Sequence, residues 1–157
     1  MKKIFLLVAF LATAFVQTGF AQQDHAQTSA VLPLYYNVKD ALVGGNSSLA
    51  ASKAGDLIKV LNSTDAKAMS EGNRNGLLEH AAKIAKSKDL KIQREHFAGL
   101  STSMIALAKN SKLSAQPVYQ MYCPMKKSNW LSSEKAVKNP YYGTAMLTCG
   151  NVVETIK

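Results

Sequence analysis

A chain of 157 residues, 47% of them hydrophobic, suits one ordinary domain able to bury a real core without a covalent staple. Its formal charge of +9 favours anionic partners such as lipid head groups or acidic proteins, yet the lysines are spread along the chain as on a solvated surface. No basic run is interleaved with aromatics, which argues against a single-strand nucleic-acid binder.

Lys2 and Lys3, the apolar run Ile4 to Val16 and the small-x-small step Gly19-Phe20-Ala21 together read as a secretory signal peptide over residues 1–21. The apolar run is shorter than the ~20 residues a spanning helix needs, and no cysteine follows the cleavage site to carry a lipid. The expected location is therefore the periplasm or beyond, and losing two lysines leaves the mature chain, starting at Gln22, still basic. Gln22 to Ser29 is polar, aperiodic and expected to be a flexible leader.

A single domain is expected over residues 30–157. Leu34, Tyr35, Val38, Ala41 and Leu42 recur on one helical face within Val31 to Val43, and Gly44-Gly45 stops that helix. Asn46-Ser47-Ser48 caps a second helix with the face Leu49, Ala50, Ala54, Leu57, Ile58 and Leu61, ending near Asn62. Ser63-Thr64-Asp65 offers a further cap before Ala66 to Glu71, and Gly72-Asn73-Arg74-Asn75-Gly76 interrupts the pattern. A third helix is expected to begin or resume at Leu77 and run to about Lys86. The strongest helix follows Ser87-Lys88-Asp89, with Leu90, Phe97, Leu100, Ser101, Met104, Ile105 and Ala108 on one face. Short loops favour antiparallel neighbours, so the expected fold class is mainly α, an up-down four-helix bundle with a small irregular or β C-terminal cap over 118–157.

Within the cap, Val118 to Tyr122 reads as a strand, Ser132 to Lys138 as one or two helical turns ended by Asn139-Pro140, and Met146 to Thr148 and Val152 to Ile156 as strand-like. Gly150 is the expected turn or bulge. A ribbon pairing the segment before Cys123 with the one around Cys149 brings both sulfurs to one edge.

That cap holds both cysteines, three of the six methionines, the only tryptophan and four of the six tyrosines. Thiolate and thioether are soft donors, so Cys123, Met125, Met146 and Cys149 point to Cu(I) or Ag(I), with the two thiolates in a near-linear site and the thioethers in support. His80 and His96, on adjacent expected helices, are further candidate ligands. The alternative is a Cys123–Cys149 disulfide, the default in an oxidising compartment, stabilising the cap by about 3.5 kcal/mol in the loop-entropy model. Trp130, Tyr141 and Tyr142 then serve as packing residues that roof the bundle, and the chain is an interaction or structural module without metal. Catalysis is not expected: there is no Cys-x-x-Cys, no Gly-x-Ser-x-Gly, no phosphate-cradling glycine loop and no His-Glu-x-x-His, and nothing orders a Cys, His and Asn into a hydrolase site.

Tyr36-x-x-Lys39-Asp40-Ala41-Leu42-Val43, Gln93-Arg94-x-x-Phe97-x-x-Leu100-Ser101, Tyr122-Cys123-Pro124-Met125, Trp130-Leu131-Ser132 and Asn139-Pro140-Tyr141-Tyr142-Gly143-x-x-Met146-Leu147-x-Cys149-Gly150 resemble the exported bacterial family called domain of unknown function 3347, frequent in the Bacteroidetes. The resemblance implies kinship with domains found alone or attached to periplasmic adaptor subunits of heavy-metal efflux pumps. Tyr-Cys-Pro-Met is also similar to the start of the heavy-metal-binding motif of those adaptors, where a His-Pro follows and this chain has Lys126-Lys127. Together these imply a free-standing periplasmic protein that buffers a soft metal, or delivers it to components of an efflux system.

Overall fold

The computed structural model describes residues 28–65 and 67–157, so the expected signal peptide and all but the end of the leader lie outside the described residues. Helix α1 (Val31–Val43) ends where sequence placed its stop: Gly45 has φ 69°, and the amides of Gly45 and Asn46 return to the carbonyls of Leu42 and Ala41. Helix α2 (Ser47–Ser63) starts at the Asn46 cap, whose side chain accepts from the Leu49 amide at 2.9 Å. Helix α4 (Leu90–Asn110) starts at Asp89, which caps Lys91, and buries Phe97, Leu100, Ser101 and Met104 on the expected face.

Helix α3 (Glu71–Lys86) begins earlier than the glycines imply. Ser70 caps it, and Gly72 through Gly76 are helical rather than an interruption. Two tertiary demands override their weak propensity. Arg74 uses its guanidinium to satisfy the carbonyls of Leu61, Thr64 and Asp65 at the end of α2. Gly76 lets α4 come close, since a Cβ there would stand 2.6 Å from Ser103 Oγ.

Each helix packs on the next, and α4 also returns to α1. Above α4 lies a three-stranded antiparallel sheet of β1 (Val118–Cys123), β2 (Ser128–Ser132) and β3 (Asn151–Ile156), in the order β2-β1-β3. Strand β2 was not expected; its Trp130 and Leu131 point to opposite faces and are both fully buried, so it lacks the alternation that marks a half-exposed strand. The β1–β3 ladder slips between Gln120 and Met121, where β3 carries Val153 as an extra residue. Two other cap expectations are corrected. Residues 133–136 form bends and 137–138 no regular structure, rather than helical turns, although Lys138 and Glu134 still pair at 2.9 Å. Met146 closes a 3-10 turn (Gly143–Met146) followed by a turn through Thr148, so this segment is not a strand and its backbone is free to bond the cap interior.

Bundle and cap share one core. The buried Tyr35 hydroxyl of α1 pairs with Ser101 Oγ of α4 at 2.8 Å and accepts the Leu131 amide of β2 at 3.0 Å. Tyr35 stacks on Phe97 with ring centres 5.2 Å apart, Phe97 meets Tyr141 at 5.9 Å, and Tyr141 meets Trp130 edge-on at 5.9 Å, a column running from helices into sheet. Tyr35→Phe keeps the stack but strands the buried Leu131 amide, so unfolding in urea is expected to show a loss of about 1–3 kcal/mol.

Candidate functional site

Cys123 ends β1, and in the register that pairs Tyr122 with Asn151 the chain before β3 returns beside it. Gly150 makes that return: its φ of 144° is a glycine conformation, and a Cβ there would lie 2.8 Å from both Trp130 Cη2 and the Tyr122 carbonyl. Cys149 is thereby set against Cys123. Both are free thiols, Cys123 fully buried and Cys149 half-buried, rather than the bonded pair of the disulfide expectation. The two thiols are close enough for Cys123 to bear on the Cys149 proton.

Backbone and side-chain amides converge on these sulfurs. The turn Pro124 to Lys127, closed by Lys127 at φ 53°, directs the Lys126 amide at Cys123 Sγ over 3.4 Å and brings the Met125 amide near enough to lower the Cys149 thiol. Asn139 is wholly buried and donates through Nδ2 to Cys123 Sγ at 3.2 Å and to the Cys149 carbonyl at 2.7 Å. Its Oδ1 accepts the Tyr141 amide at 2.8 Å, its own amide donates to the Leu147 carbonyl at 2.8 Å, and its carbonyl accepts the Gly143 amide at 3.0 Å. Sequence reading treated Asn139 only as the residue before a proline. The signal was its place in Asn-Pro-Tyr-Tyr-Gly, but an amide's distant partners have no local periodicity.

The Cys149 thiol is held above its ordinary range, first by burial, then by the Cys123 side chain and the charge there, against a smaller lowering by the Met125 amide. Two adjacent thiolates repel, so losing the second proton is costly unless a cation takes its place. The Lys126 and Asn139 N–H donors aimed at Cys123 supply part of that compensation.

Met125 and Met146 flank the pair through their backbones: the Met125 amide bears on the Cys149 thiol, and the Met146 carbonyl accepts the Cys149 amide at 3.1 Å. The Met125 side chain is 62% exposed and that of Met146 half-buried. His80 and His96 are together, but with each other, across the α3–α4 interface. Among the described residues no group of three or more His, Cys, Asp or Glu converges as a metal set, so neither histidine completes the cysteine pair. Trp130 and Tyr141 are buried in the shared core, Tyr141 anchored through its hydroxyl to the Asn129 carbonyl at 2.5 Å. Tyr142 packs against that core and, with Tyr141, lines a groove beside the turn with Lys91, Arg94, Glu95 and Lys126.

The model of the family described as "Protein of unknown function (DUF3347)" matches residues 31–116. The chain belongs to that family. The DUF3347 match takes in all four helices and stops before β1, so the thiol cap lies beyond the matched residues. No curated protein and no solved structure matches the chain. No helix among the described residues is long and apolar enough to cross a membrane.

Asn139→Ala leaves the Tyr141 amide and the Cys149 carbonyl without partners in the cap and is expected to cost about 2–4 kcal/mol in urea unfolding. Cys123→Ala removes two of the three influences that raise the Cys149 thiol. Its alkylation by iodoacetamide is therefore expected to move to lower pH than in the parent chain, read as rate against pH.

Proposed function

We propose that this DUF3347 chain is an exported soft-metal-binding protein on an up-down helical frame, holding Cu(I) or Ag(I) between Cys123 and Cys149. The observation that carries the reading is the pair of unbonded thiols, side by side, with two N–H donors aimed at Cys123. A monovalent soft cation bound by two thiolates displaces two protons and leaves one net negative charge. Lys126 and Lys127, in the turn that carries one of these donors, oppose that charge.

Met125, largely exposed beside the turn, is a thioether suited to meeting the ion at the surface and passing it on, and Met146 is a weaker supporting donor. Trp130, packed under Gly150, shields the pair from water on its inner side. The role that fits is buffering or delivery rather than catalysis, in the periplasm, with components of a heavy-metal efflux system as recipients.

The same adjacency favours a second reading, in which oxidation joins the thiols and the cap becomes a disulfide-braced interaction surface. One titration separates them. The reduced chain, competing anaerobically with a chromophoric Cu(I) chelator, is expected to bind one equivalent, and Cys123→Ser and Cys149→Ser each to abolish tight binding. Met125→Leu is expected to lower affinity by less than about tenfold, because the thiolates carry the charge. Unchanged affinity in either serine variant, or no competition by the folded parent, rejects the thiol site and leaves the disulfide reading.

A further inference from the structure

The imidazoles of His80 on α3 and His96 on α4 face each other with ring centres 5.9 Å apart and planes inclined by 36°. Two imidazoles sharing one ion at the usual ~2.0–2.1 Å metal–nitrogen distance place their ring centres roughly 5 to 6.3 Å apart as the angle at the metal opens from tetrahedral to linear. The observed spacing falls inside that interval. His80 Nδ1 is buried and has no hydrogen-bond partner, an unusual state for a ring nitrogen. The ring fits only because residue 99 of α4 has no side chain: a Cβ on Gly99 would overlap the His80 imidazole. An orphaned Nδ1 on a ring whose Nε2 edge fills the notch at Gly99, beside a second imidazole, lacks a structural explanation as a packing residue alone.

We propose that His80 and His96 form a second metal site, a two-imidazole clamp between α3 and α4 for a borderline divalent cation, of which Cu2+ binds such nitrogen donors most tightly. With no third protein ligand among the described residues, the ion keeps water in its other positions and exchanges readily. Glu79 and Lys83 on α3 bear on the pair from outside, bound to each other at 2.7 Å. Burial, with Lys83 and the facing His96, holds His80 below the usual histidine range against the opposing pull of Glu79, so its ring is neutral and ready to ligate at neutral pH. The clamp is independent of the thiol pair: it uses other elements, other donors and another oxidation state.

The test adds Cu2+ alone to the full chain carrying Cys123→Ser and Cys149→Ser, which removes thiols that would reduce the ion, and follows electron paramagnetic resonance. One equivalent with hyperfine coupling to two imidazole nitrogens is expected. His80→Gln and His96→Gln are each expected to weaken it by roughly tenfold or more, and His25→Gln to leave it unchanged. Binding that persists in either of the first two variants, or that disappears with His25→Gln, overturns the proposal. If either substitution unfolds the chain, Zn2+ titration of the double-serine chain under imidazole nitrogen NMR decides. Shifts of His80 and His96 together up to one equivalent support the clamp; a shift of one alone, or of neither, overturns it.

Discussion

The buried amide of Asn139 is the constraint on which the cap depends. It bonds Leu147, Gly143 and Tyr141 through backbone and side chain, and with a single Nδ2 it binds both the Cys123 sulfur and the Cys149 carbonyl. That amide ties the Cys149 carbonyl to the end of β1, while Gly150 turns the chain back into β3. A buried polar group is tolerated only when its capacity is filled, and here the filling is what positions the thiols.

The rest of the molecule supplies a rigid floor. The column Tyr35, Phe97, Tyr141 and Trp130 carries packing from α1 and α4 to the underside of Gly150. Because Tyr141 takes part in the column, in the bond to Asn129 and in the bond to Asn139, the bundle and the thiol pair are mechanically continuous. The matched family region holds Tyr35 and Phe97 of that column, and Trp130, Tyr141 and the thiol pair sit on the segment that follows it.

Much of this was legible in the residues. The bounds of α1, α2 and α4 followed from apolar spacing and from the stops and caps at Gly45, Asn46 and Asp89, all local signals. The convergence of Cys123 and Cys149 followed from two strand-like segments and a glycine between them. The failures were non-local. The glycines of α3 read as a break because their justification lies in Arg74 reaching α2 and in Ser103 on α4. Strand β2 was hidden because burial on both faces erases alternation, and the 3-10 turn at Met146 passed for a strand by composition. Asn139 was visible only as a helix breaker, since its partners lie ten and sixteen residues away. The histidines were noted as candidates for the sulfur site, whereas the His80 ring fills the space left by Gly99 with its centre 5.9 Å from that of His96.

The central claim is that two thiolates, and not a mixed ligand set, hold the ion. X-ray absorption at the copper edge on the Cu(I)-loaded reduced chain measures the donors directly. Two sulfur scatterers, with at most a weaker third sulfur from Met125 or Met146, are the result this account predicts. A first shell containing nitrogen or oxygen would contradict it, because no imidazole or carboxylate joins Cys123 and Cys149 among the described residues.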